Sequence, residues 1–126
     1  MAVTVTVQSL VLNTLTPKAA DVATVDSANG TEVFTVPVGK TGQTLIAINN
    51  GAGHGALTFS IAKGVTGGGA GAALTGSVAD GVTSYLQLDT ARYATAAGTL
   101  LITLTPASGK KLKTEHVASV QGIELA

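Results

Sequence analysis

The chain contains no cysteine and no tryptophan. Without a thiol, disulfide bridges and thiolate metal sites are excluded. Two Phe and two Tyr in 126 residues leave little for stacking nucleic-acid bases or sugars. Charge is also scarce. Asp, Glu, Lys and Arg make up 11% of the chain, against about 25% in an average soluble protein. Disorder driven by charge excess is thereby excluded. Seven basic residues balance seven acidic ones, so there is no overall cationic surplus of the kind that binds phosphate backbones. The one basic cluster, Lys110, Lys111 and Lys113, is too small to line a groove and reads as the solvated part of a turn. No nucleic-acid partner is expected. No run approaches the roughly 18 apolar residues of a membrane span, and no membrane partner is expected either. The first residues, MAVTVTVQSLVLNTL, lack a basic leader region and alternate with Thr. They read as a strand, not a signal peptide, and synthesis in the cytoplasm is the expectation.

What is present is apolar, small and β-branched. Apolar residues make up 45% of the chain, and a domain of this length removes about two-thirds of its extended surface from water. One domain over 1–126 is expected, with 1–29 as an N-terminal strand plus arm. The dominant period is two, the signature of half-buried strands. Val3, Val5 and Val7 alternate with Thr4 and Thr6, and the phase changes near Gln8 and Ser9, as a bulge or a bend between two sheets requires. Residues 14–29 read as loop. Strands are expected over 31–36, 43–48, 56–62, 83–88, 99–105 and 113–125, the last broken at Gly122. Gly, Asn, Asp and Pro separate them. No segment carries a sustained 3.6-residue apolar stripe. The pattern predicts an all-β, single-domain antiparallel β-sandwich of seven or eight short strands. The expected core is Leu45, Ile48, Leu57, Phe59, Ile61, Leu86, Leu88, Leu100, Ile102 and Leu104. Leu45 and Ile48 differ in parity, so both are buried only if their strand is covered on each face or kinked.

Several stretches imitate chemistry. GVTGGGAGAALTG (64–76) contains the loose dinucleotide pattern G-x-G-x-x-A, and Gly39-Lys40-Thr41 looks like the tail of a phosphate-binding loop. The first works only between a parallel strand and the helix it opens, and LTGSVADGVTS is no helix. The second lacks its leading glycine, because position 34 is Phe. No cofactor is expected. His54 and His116 are too few for a metal centre, and Glu115 beside His116 faces the other way in a strand. No Ser sits in a G-x-S-x-G elbow, and no pair of acids is marked out for glycoside hydrolysis. No enzymatic activity is expected. The most specific segment is LQLDTARYATAAG. Asp89 at a turn start accepts backbone N–H groups, Arg92 three residues on pairs with it if one helical turn forms, and Tyr93 completes a structural corner between two strands; the alternative is that Arg92 or Tyr93 reaches a partner.

The later two-thirds of the chain, through NGTEVFTVPVGKTGQTLIAINNGAG, ALTFSIAKG, YLQLDTARYATAAGTLLITLTPASG and VASVQGIEL, resembles a family of small tailed-phage capsid proteins. These are head decoration, or cement, proteins of β-sandwich or jelly-roll type. The likeness is one of element order: a strand ending in Asn-Asn-Gly, a glycine-rich excursion, an L-D-x-x-R-Y corner and a closing strand. It implies a virion protein, made in the host cytoplasm and carried on the capsid exterior. It also implies contact with the major capsid protein, homotrimers at three-fold positions, and reinforcement of capsomer junctions. Candidate interface residues are Met1, Val3, Val5, His54 and His116, and Gly67, Gly68 and Gly69, whose bare backbone permits close approach; the apolar termini, 1–12 and 117–125, look able to cross into a neighbour. The alternative is a glycan- or host-binding β-sandwich module of a phage tail or fibre, although the chain has neither a Trp platform nor an acidic cluster for calcium.

Overall fold

In the computed structural model, residues 2–10, 13, 15, 22–23, 31–37, 43–53, 55–64, 73–89, 93–96, 98–107 and 118–124 are described. They form ten strands: β1 (Ala2–Thr4), β2 (Val7–Ser9), β3 (Val22–Ala23), β4 (Glu32–Pro37), β5 (Gln43–Asn50), β6 (Leu57–Ile61), β7 (Leu74–Val78), β8 (Thr83–Asp89), β9 (Thr99–Thr105) and β10 (Ala118–Glu124). One sheet has the order β1-β4-β9-β6-β7 and the other β2-β10-β5-β8, with β3 also on β10. The two sheets pack face to face as a β-sandwich, as the period-two pattern requires.

Three antiparallel ladders are nested. β6 pairs with β7, Leu57 opposite Val78. β5 pairs with β8, Ile46 opposite Leu86. β4 pairs with β9, Phe34 opposite Ile102. The segment from 31 to 105 is therefore one long hairpin rolled into a sandwich, and this nesting makes the fold jelly-roll-like. The glycine-rich stretch lies between the two strands of the innermost pair: Ile61 faces Leu74, so it joins antiparallel neighbours. A dinucleotide fingerprint needs a parallel strand–helix–strand unit in that place.

The N-terminal strand departs from the antiparallel expectation. β1 runs parallel to β4 and β2 runs parallel to β10, so the chain changes sheets between them. The switch lies at Val5 and Thr6, ahead of the expected site at Gln8 and Ser9. Val5 N still donates to Thr35 O at 2.9 Å, while its side chain is fully buried. The residue that crosses is itself a core residue, so the alternation of valines runs on through the switch and hides it.

The core holds Val5, Phe34, Val36, Ile46, Ile48, Leu57, Ile61, Val78, Leu88, Leu100, Ile102, Leu104, Ala118 and Val120. Phe59 and Leu86 are half-buried against it, and Leu45 is half-buried on the opposite face of β5 from Ile46 and Ile48. Ala47, beside Leu45 in parity, is buried too, so β5 is a strand covered on each face. Two glycines correct the expected boundaries. β10 runs unbroken through Gly122, which pairs with Ile46 and Val7. A Cβ there would lie 3.2 Å from both Val36 and Val7, so glycine lets β4 and β10 approach across the sandwich. Gly76 lies inside β7, where a loop was expected. A Cβ at Gly76 would sit 2.8 Å from the Phe59 ring, which covers the bare backbone of the neighbouring strand.

Among the described residues, Thr44 Oγ1 is buried without a hydrogen-bond partner. Such a hydroxyl lowers stability, and an isosteric methyl removes the defect. Urea unfolding is expected to show Thr44→Val more stable by about 1 kcal/mol. In the same assay Leu104→Ala, at a fully buried site, loses about 2–5 kcal/mol. A loss of stability in Thr44→Val would show that the hydroxyl is satisfied in solution.

Candidate functional site

The outward faces of the two sheets are what the fold offers a partner. On the first sheet the outward positions form cross-strand rows. Val33, Thr103, Ser60 and Thr75 follow one another across four strands, and Thr105, Thr58 and Ser77 make the next row. Thr4 and Thr35 face each other on β1 and β4. Every one of these residues is uncharged, and most carry a hydroxyl. On the second sheet the row Tyr85, Ala47, Gln121 lies beside Thr83, Asn49, Ser119, again without charge; Tyr85 and Thr83 are exposed there, whereas Ala47, Ser119 and Gln121 are buried. Thr83 Oγ1 donates to Asn49 Oδ1 at 2.9 Å, and Gln121 Nε2 to Gln8 Oε1 at 3.4 Å. Leu15, Val82 and Tyr85 are the large apolar side chains that stand exposed among the described residues.

At one end of the sandwich a loop is held from two sides. Asn50, at the end of β5, is fully buried. Its Nδ2 donates to Gly55 O at 2.9 Å, Val78 O at 3.0 Å and Ala79 O at 3.1 Å. Asp80, in the turn between β7 and β8, accepts from the other direction. Gly53 N donates to Oδ2 and Gly55 N to Oδ1, each at 3.1 Å. Gly53 and Gly55 have φ of 86° and 93°, a left-handed backbone that glycine adopts without strain. The Asn-Asn-Gly and Ala-Asp-Gly signals mark turns in the sequence, but their mutual bonding joins residues 25 or more positions apart. Spacing alone does not show it.

The sequence candidates fall as follows. Asp89 closes β8, its backbone opposite Gln43. Tyr93 is half-buried and packs against the core, which anchors the corner. The corner then tightens into β9: Thr95 N donates to Thr99 O at 2.8 Å, and the Thr95 and Thr99 hydroxyls bond at 2.8 Å. Val3 lies in β1 opposite Phe34. Val5 is corrected: it is fully buried in its own chain's core and has no surface for a neighbour. The crossing expected of residues 1–12 and 117–125 is replaced, over Ala2–Thr4, Val7–Ser9 and Ala118–Glu124, by pairing within the chain. Met1, His54, Gly67, Gly68, Gly69, Arg92 and His116 lie outside the described residues. Among the described residues no three His, Cys, Asp or Glu side chains come together. No helix there is long and apolar enough to cross a membrane.

The pin at Asn50 is expected to be structural. Asn50→Ala leaves buried carbonyl groups without a donor, at a cost of about 1–3 kcal/mol, and speeds amide exchange at Gly53 and Gly55. Wild-type exchange rates in Asn50→Ala would show that Asp80 holds the loop alone.

In comparisons with known proteins, no family model matches the chain, and no curated protein or solved structure matches it significantly.

Proposed function

We propose that this chain is a structural virion protein that binds the outer surface of a phage capsid and stabilises capsomer junctions. The observation that carries the proposal is the uncharged, hydroxyl-lined outer face of the first sheet, with Thr58, Ser60 and Thr103 on its inner strands. A protein repeated in many copies on a lattice accumulates like-charge repulsion if its exposed faces are charged. Faces of Thr, Ser and Ala avoid that repulsion and still hydrogen-bond a neighbouring surface. The resemblance drawn from the sequence supplies the shell as partner, through the major capsid protein, and a homotrimer as the unit at three-fold positions. In this reading the chain does no chemistry.

Tyr85 favours the second reading, a glycan- or host-binding module of a tail or fibre. It is 68% exposed on β8 and gives an aromatic face of the kind that sugars stack on. Tyr85→Ala abolishes glycan-array binding in that reading and leaves capsid attachment untouched in the first.

Decorated capsids are expected to withstand heating and osmotic shock that open capsids lacking the protein. Attachment is expected to weaken little from low to high salt, because few ion pairs form. Attachment through Lys would weaken steeply as ionic strength rises. Equal resistance of decorated and bare capsids would remove the cementing role.

A further inference from the structure

We propose that Asn50 is a deamidation site that the fold keeps shut, and that the reaction, once it occurs, stops this end of the sandwich from closing again. In the sequence Asn50 precedes Gly51. Glycine has no Cβ to shield its backbone nitrogen, so an Asn-Gly pair cyclises readily. Gly51 N gives up its proton and attacks Asn50 Cγ. The N–Cγ bond forms, the Cγ–Nδ2 bond breaks, and Nδ2 departs as ammonia, taking up one proton in exchange for the one Gly51 lost. Water then opens the five-membered imide, giving Asp through one carbonyl or a β-linked isoaspartate through the other. Water is the only other reactant.

The structure opposes each step. Asn50 is fully buried, and its leaving group is held. Nδ2 donates to Gly55 O, Val78 O and Ala79 O at 2.9, 3.0 and 3.1 Å. The amide reaches Gly51 N only by giving up these carbonyls. The backbone is fixed as well. Asn50 lies opposite Ala118 in the ladder with β10, and its N donates to Val82 O at 3.0 Å. An imide ring needs a ψ far from the roughly +135° of an antiparallel strand. Asp80 holds the loop down, accepting from Gly53 N and Gly55 N at 3.1 Å. Reaction therefore starts only from molecules in which this end has opened, and its rate follows their population. The product does not fit back. A carboxylate in place of the amide sets acceptor against acceptor at three carbonyl oxygens. Isoaspartate also adds a carbon to the backbone and breaks the register with β10. None of this depends on the decoration reading.

The test uses the purified full chain in mildly alkaline buffer, with and without denaturing urea. Peptide mass spectrometry reads the exchange of the Asn50 amide NH2 for OH. In urea Asn50 is expected to react at a rate similar to that of Asn29, which also precedes a glycine. In buffer it reacts more than about tenfold more slowly than in urea, a factor set by the scarcity of open molecules. Asp80→Ala removes the two acceptors over the loop, so it speeds the reaction in buffer and leaves the rate in urea unchanged. Asn50→Asp, the product made directly, exchanges its Gly53 and Gly55 amides faster and unfolds at a lower urea concentration. Equal rates in buffer and in urea overturn the proposal, because the fold then gives no protection. So does an Asn50 that stays intact in urea while Asn29 reacts. An Asp80→Ala form that reacts at the wild-type rate in buffer, or an Asn50→Asp form as stable as the wild type, also overturns it. The wild-type comparison needs no variant, so a variant that fails to fold leaves the test decisive.

Discussion

The structure depends on one constraint: the backbone of residues 31–105 satisfies its hydrogen bonds by folding back on itself around a single point. The pairs β6·β7, β5·β8 and β4·β9 share that point, and each outer pair lies on the opposite sheet from the next one in. Buried N–H and C=O groups must be paired, and nesting pairs them while placing apolar faces inward from both sheets. β10 then fills the remaining side of β5. The N-terminal strand pairs with β4 and with β10 in turn, closing that side of the sandwich. β7 and β8, joined by the short turn at Asp80 and Gly81, are left as the terminal strands on the other side. Among the described residues, the terminal strands and the closed side thus follow from the same pairing scheme.

Strand content was legible because burial on one face writes a period of two into the sequence. Leu100, Ile102 and Leu104 are an alternating inward row, and all three are fully buried. The misreadings arise where tertiary contacts override the local signal. β7 carries Gly76 and two hydroxyl residues, and its propensity for strand is low. Pairing with β6 and the Phe59 ring over Gly76 hold it in the sheet. Gly122 suggests a break by composition, yet it sits inside the strand where a Cβ would press on Val36 and Val7 at 3.2 Å. Val22–Ala23 joins β10 from within a stretch that reads as loop. Two residues cannot display a period.

The candidate site was less legible, for a different reason. Catalytic and metal sites advertise themselves through rare residue types, and this chain uses few of them. The Asn50 and Asp80 network consists of common turn residues whose partnership exists only after β5 and β7 are brought to the same end of the sandwich. Tyr93 was placed at a corner from its sequence neighbours, and its ring packs on the core.

Low charge ties these features together. A charged surface keeps copies of a protein apart, and its edge lysines prevent strand addition. Here the outward rows of the first sheet are mostly Thr and Ser, and residues 83–88 of β8 carry no charge. Hydroxyl and amide groups keep such a surface wetted while the chain is alone, and they retain hydrogen-bonding capacity when another uncharged surface replaces the water. The exchange is nearly balanced for each group, because a protein–water bond gives way to a protein–protein one. Affinity for a partner then grows with the number of groups that find matches, so shape and repetition set it rather than any single anchor. A regular sheet supplies repetition directly: its strands lie about 4.8 Å apart, and each row of outward residues repeats across them.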